Sequence, residues 1–453
     1  MTGEQPIIII GSGLSGLVLA HALKKYQIPY MIYEKDQGIH SRKQESSLTL
    51  HQSWYQLSKI FSSGSLLSLI ETANVNPEET NNLSMVIVDG STNTILESLE
   101  TNGPKHQHQK NLESISTVPM VAHRLNHHRL RQWLIQGLDI QWGYEFDHVV
   151  QQQQNKDNVQ VHFKNGHVAQ GKLVIGADGT RSKVCQELVG GSDAFNQITT
   201  HHPAYMLTCK RWLTENQYNE IRQIVKLHGF IFGYPVANQN NNDNGDGDEI
   251  KYPEYPLNLL FVVLNDVNRE ISPEAPYQVC WMISKYEQDM NTLTKADRYL
   301  TDHDRLQLAK SWVEGRFQDP FQSLVLDTPD DAIVSKINLW ERLVPIDHLS
   351  KQSSVTLIGD ACHSMVPSQG AGGNQGIVDA VTLADQLKNV YHPSVDYPST
   401  SLAEALSNYH QDTYSRTTPI VESSSILYTN SFKSPEFFVQ QIKKIKQMIS
   451  QKH

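Results

Sequence analysis

The chain has 453 residues, which at ~150 residues per domain points to about three domains and leaves room for a large core. Lys and Arg number 38 against 48 Asp and Glu, a net charge of −10 that disfavours a long basic face for nucleic acid. With 39% hydrophobic and 19% charged residues, the composition is that of a globular protein, neither disordered nor fibrous.

No apolar run reaches the ~18 residues of a membrane span. The run Pro6 to Ile10 is too short for a signal-peptide core and lacks a basic leader. Cys185, Cys209, Cys280 and Cys362 are scattered without CxxC spacing. Neither a metal site nor a disulfide framework is expected, and the reading is reduced thiols in a cytoplasmic protein.

In chain order, residues 6–10 (PIIII) read as a buried parallel strand. A glycine-rich turn follows, then a helix over 17–26 and a second strand over 28–33 ending at Glu34. This is a βαβ unit. Segments 83–99 and 142–176 look β-rich. The stretch 124–137 reads as helical, with Leu130, Leu134 and Leu138 at helical spacing. Strand candidates at 204–212, 228–236, 257–264 and 278–285 follow one another without long crossovers, which suits an antiparallel sheet. The acidic stretch 238–249 resembles a calcium loop, but in register Lys251 falls where the bidentate Glu belongs, so a solvated loop is expected. Residues 353–359 form another buried strand, and 377–387 a helix. The tail from Ser401 reads as helical, broken at Pro419 and Pro435.

Gly11-Ser-Gly13-Leu14-Ser15-Gly16 lies between the first strand and the first helix. Gly11 permits a tight turn, Gly13 lets a pyrophosphate approach the backbone, and Gly16 lets helix and strand pack closely. The helix N-terminus faces the phosphates with free N–H groups. Glu34, with Lys35 beside it, is placed to accept both hydroxyls of an adenosine ribose.

Two further motifs follow. Gly176-Ala-Asp178-Gly179-Thr-Arg181-Ser182 succeeds the strand ending at Ile175. Gly359-Asp360-Ala-Cys-His363 is followed by Pro367, Gly370, Ala371, Gly372, Gly373 and Asn374. The order GxGxxG, GADGxxS, GDAxHxxxPxxGxGxN resembles the flavoprotein aromatic hydroxylases, single-component FAD monooxygenases of the para-hydroxybenzoate hydroxylase type. The resemblance implies an α/β fold: a Rossmann-like FAD-binding domain with an inserted β-rich substrate domain and a helical C-terminal tail. The FAD domain would comprise 1–75, 118–195 and 345–400, the substrate domain 76–117 and 196–344, and the tail 401–453.

By the same resemblance Asp360 accepts from a ribityl hydroxyl, and Asp178 and Gly179 serve FAD and the nicotinamide cofactor. A turn closed by Asp178 is the plain alternative. The helix near Asn374 would aim its N–H groups at the negative edge of a reduced flavin. The family's arginine in an Arg-x-x-Leu stretch is replaced by His127, with Arg124 or Arg131 as substitutes and Arg124 preferred. Arg42 resembles the family's arginine near the flavin. His363 belongs to the flavin loop rather than serving as a base.

Phe230, Phe232 and Tyr234 alternate on one strand face and could line a substrate pocket, with core packing the plainer reading. Trp281 and Met206 are weaker candidates. In the tail, Phe438, Ile442, Ile445 and Ile449 form a stripe flanked by lysines, which docks on the protein's own core or, alternatively, contacts a membrane surface through 436–453. The resemblance implies NADPH or NADH as electron donor and O2 as oxidant, with oxygen activated at C4a of the flavin and one atom passed to a small aromatic or polyketide-like substrate. A double-bond reductase of the same fold, and a binding protein without turnover, are the alternatives.

Overall fold

In the computed structural model, the isoleucine run forms the strand Ile7–Ile10, wholly buried, within a five-stranded sheet. The order is Val355–Leu357, Leu173–Gly176, Ile7–Ile10, Tyr30–Glu34, Ile140–Trp142, with all neighbours parallel. Both faces are covered, which is why these strands read as continuous apolar runs. The structure describes residues 5–41, 46–76, 84–100, 122–151, 158–225, 228–233, 258–286, 299–351, 353–392 and 400–450. Arg42, Tyr234 and the acidic stretch 238–249 lie outside them.

The middle of the chain builds a seven-stranded sheet in the order Ser335–Ile337, Ala204–Leu213, Tyr277–Tyr286, Asn258–Val267, His228–Gly233, Ser84–Asp89, Thr94–Glu100. It is antiparallel except where His228–Gly233 runs parallel to Ser84–Asp89. One face packs on helices Glu215–Ile224, Asp302–Val313 and Phe321–Leu326 through Tyr205, Leu207, Trp281 and Trp312. The other carries Met206, Phe230, Phe232 and Leu259, with Phe438, Val439 and Ile442 of the last helix against them.

Two expectations are corrected. The stretch 124–137 is a strand, His123–Asn126, and then a helix, His127–Ile135. Asn126 makes the break: its Oδ1 accepts from the His128 and Arg129 N–H groups at 3.1 Å, an N-cap that starts the helix there. The preceding residues pair antiparallel with Ser47–Leu50. Pro419 does not break the tail, because helix Leu402–Ser431 runs through it. Thr417 and Thr418 hydroxyls donate back to the Thr413 and Tyr414 carbonyls in the preceding turn. Helix Glu436–Ser450 follows after Pro435.

The four cysteines are buried free thiols. Among the described residues no helix is long and apolar enough to cross a membrane, and no cluster could hold a metal ion.

Candidate active site

The first βα turn has the stereochemistry its glycines suggest. Gly11 has φ +108°, and a Cβ there would sit 2.5 Å from the Ala177 carbonyl oxygen. A Cβ on Gly16 would strike the Gly11 carbonyl oxygen. Gly13 meets nothing closer than 3.9 Å, so its backbone faces open space. Helix Leu14–Lys25 begins without a side-chain cap. Its first N–H groups are left for an anion.

Glu34 is buried at the end of its strand and accepts from the Ser12 N–H at 2.8 Å and the Ser12 hydroxyl at 2.9 Å. Buried Arg131 donates from Nη2 to Ser12 Oγ at 2.8 Å and from Nε to the Ser12 carbonyl at 3.0 Å. Arg131 thus braces the glycine-rich turn. Lys35 is exposed just beyond Glu34.

The three motifs converge. Gly359 has φ +60°, and Ser15 fills the space beside it and Gly376, so the first helix and helix Gly372–Tyr391 touch at small residues. The Asp360 carboxylate is exposed and accepts from the Thr180 hydroxyl of the second motif at 3.2 Å. Buried Arg342 joins the two motifs from below, donating to the Thr180 and Asp360 carbonyls at 2.8 and 3.0 Å. Asp178 is occupied differently. It accepts from the Ser182 hydroxyl at 2.5 Å and from the Lys183 and Val184 N–H groups, and so caps helix Lys183–Val189. Gly179, at φ +79°, has nothing near its Cβ position.

Pro367, Gly370 and Gly373 are exposed along the glycine loop. Helix Gly372–Tyr391 starts after Ala371 with no side-chain cap, so the loop ends in bare N–H donors. Asn374 holds the loop in place. Its Oδ1 accepts from the Ser53 hydroxyl at 2.7 Å and the His51 N–H at 2.9 Å, and its Nδ2 donates to the Thr49 and Gly370 carbonyls. Every polar slot of the amide is used, which makes Asn374 a brace.

Beneath the loop lies a buried ionic cluster. Asp379 accepts from the Gly359 N–H at 2.8 Å, lies 2.6 Å from His363 Nε2 and 2.7 Å from Arg416 Nη2. Burial alone would raise the Asp379 pKa, but His363 and Arg416 reverse this and bring it to about 2. His363, wholly buried, has no route to a ligand and is a positioning residue. Asp379 and Arg416 were not among the residues expected from motifs, although an acid in the apolar run Ile377 to Val381 was a usable signal.

Phe230 and Phe232 do share a face. Phe232 is fully buried, and the Phe438 ring covers both, 4.4 Å from Phe230 and 5.9 Å from Phe232. Trp281 belongs to the opposite face, its Nε1 donating to Thr328. Further along the Phe230 face, Thr208, Phe261 and Met282 keep partial exposure. Arg124, held by Ser47 and Thr49, lies within electrostatic reach of Cys280, a neighbour of Met282 on this face.

This arrangement fits FAD: open backbone at Gly13, an exposed carboxylate at Asp360, and an uncapped helix start beside a glycine loop. A family described as FAD binding domain matches residues 4–228 and 329–421. An FAD-dependent monooxygenase of Emericella nidulans is 27% identical over 84% of this chain and 86% of its own. A probable FAD-dependent monooxygenase of Arthroderma benhamiae is 26% identical over 92% and 89%. The solved 2,6-dihydroxypyridine-3-hydroxylase of Arthrobacter nicotinovorans shares the fold at TM-score 0.67 and 16% identity, over 95% of this chain and 93% of its own. The chain belongs to the FAD-dependent monooxygenases of the flavoprotein aromatic hydroxylase type, and is an enzyme of that family.

Proposed function

We propose that the enzyme inserts one oxygen atom from O2 into a small aromatic or polyketide-like substrate, with NADPH or NADH as electron donor, in the cytoplasm. The observation that carries this is the uncapped start of helix Gly372–Tyr391 beside an exposed glycine loop. Bound FAD supplies the electron transfer and the oxygen activation.

The chain's own residues bind and orient. Glu34 is positioned for the adenosine ribose, Gly11 to Gly16 for the pyrophosphate, Asp360 for the ribityl chain, and residues 370–374 for the flat ring. The helix start offers N–H donors where negative charge gathers on reduction. The partly exposed sheet face of Thr208, Phe261 and Met282 offers a mainly apolar wall for a substrate. Relatives named FAD-dependent monooxygenases support oxygen insertion, and a fold neighbour named as a dihydroxypyridine hydroxylase supports an aromatic substrate.

The test is a flavin absorbance spectrum, then NADPH and NADH oxidation across a panel of phenols and polyketides with mass analysis of products. Substrate-stimulated oxidation with a product heavier by one oxygen is expected. A product heavier by two hydrogens would mean a reductase of the same fold.

A further inference from the structure

Arg124 is held in an unusual way for a guanidinium deep in a protein. Nε and Nη2 donate to Ser47 Oγ at 3.0 and 2.8 Å, and Nη1 donates to Thr49 Oγ1 at 3.2 Å. Both acceptors are neutral hydroxyls, and among the described residues no carboxylate pairs with it. A guanidinium carries five N–H donors, so each terminal nitrogen keeps one hydrogen unused.

Arg124 is only partly covered. Burial lowers the Arg124 pKa to about 10, yet the side chain keeps part of its surface accessible. A deep charge without a counter-ion is costly unless something anionic reaches it.

On the sheet side the described group that interacts electrostatically with Arg124 is the neutral thiol of Cys280. Cys280 feels both Arg124 and Lys210, and Lys210 lies opposite Cys280 in register. Thr208 Oγ1 is 3.3 Å from Cys280 Sγ, and Met282 pairs with both Thr208 and Phe261. The nearby acid Asp266 is paired with Arg129 at 2.9 Å.

On the cofactor side the register is locked. Thr49, whose hydroxyl holds Arg124, also gives its carbonyl to Asn374 Nδ2 at 2.9 Å. The guanidinium is therefore fixed relative to the glycine loop.

We propose that Arg124 is a specificity-determining residue for substrate, whose two spare N–H groups bind an anionic oxygen on a planar ring, a carboxylate or phenolate, between the loop at 370–374 and the Thr208–Cys280–Met282 face. This rests on the monooxygenase reading and moves Arg124 from the cofactor to the substrate. A fork of two N–H donors matches such an oxyanion geometrically. A ring carrying a phenolate is also richer in electrons, which suits oxygen insertion.

The test uses the FAD-loaded protein titrated with benzoate and with benzamide, its neutral counterpart, followed by perturbation of the flavin absorbance. Benzoate is expected to bind at least about tenfold more tightly, the scale of a hydrogen bond to a charged group. Arg124→Leu is expected to erase that preference with FAD content unchanged, and Arg124→Lys to keep part of it. If the leucine variant fails to fold, Arg124→Gln reads the charge alone. Equal binding of the two probes, binding of neither, a preference that survives in Arg124→Leu or Arg124→Gln, or loss of FAD in either variant would overturn the inference. Failure of the unsubstituted chain to take up FAD would instead overturn the monooxygenase reading.

Discussion

Gly13 and Gly16 stand in the same turn and answer to different neighbours. A Cβ at Gly16 collides with the Gly11 backbone, whereas one at Gly13 meets only open space. Gly16→Ala is therefore expected to destabilise the protein by about 1–3 kcal/mol, as overpacking does, and to lower the melting temperature. Gly13→Ala is expected to melt like the unsubstituted protein but to weaken FAD binding, because its methyl enters the space a pyrophosphate needs. Thermal melts with parallel FAD titrations separate the two. The motif glycines were legible in sequence because the demands on them are local backbone demands. Arg416 was not, since its partner Asp379 lies 37 residues away and the tail carries no motif. Asp178 was legible as a motif residue, and its present bonds are those of a helix cap.

The helix Gly372–Tyr391 connects the loop to the ionic cluster, so damage at Asp379 should reach the cleft. Removing one partner of a buried pair leaves the other charge uncompensated, and Asp379→Asn is expected to cost about 3–5 kcal/mol by urea unfolding. The carboxyl sits at about 2, below the ordinary 3.8, so its contribution is present above pH ~4 and is lost as pH falls toward ~2. His123 and His410 act at higher pH. Burial holds both at about 4, below the usual 6.5. The unfolded chain therefore takes up protons first. Stability is fully present above pH ~6.5 and is lost as pH falls toward ~4, by up to roughly 3 kcal/mol per histidine. Unfolding at about pH 7.5 and about pH 5 should show this loss, and His410→Gln should reduce it. Helical spacing of leucines over 124–137 hid the strand His123–Asn126 because its pairing partner, Ser47–Leu50, is remote in sequence. The cap Asn126 was the local sign that the helix starts later.

Across the whole molecule, the final helix covers part of a face of the seven-stranded sheet that would otherwise be exposed. Phe438 and Ile442 are buried against Phe230 and Phe232, and Lys446 pairs with Glu97 on the sheet edge. Phe438, Ile442 and, in part, Ile445 of the tail's apolar stripe are thus used inside the protein. Phe438→Ala is expected to cost about 3–5 kcal/mol and to raise binding of a hydrophobic dye. Four strands of the five-stranded sheet were readable one by one, since parallel burial leaves continuous apolar runs, whereas the edge strand Ile140–Trp142, interrupted by Gln141, was not. Which aromatics meet substrate was not readable, since period-2 alternation gives a face but not what covers it.

The last helix also sets an order for biosynthesis. Strand Val355–Leu357 joins the sheet begun at Ile7–Ile10 only after most of the chain has left the ribosome, and Glu436–Ser450 emerges after that. Until then the nascent chain shows an uncovered apolar sheet while its nucleotide turn is already made. Such a species is a natural client for chaperones. A message cut short before residue 436 would yield a polypeptide that carries every cofactor motif and is still destined for degradation.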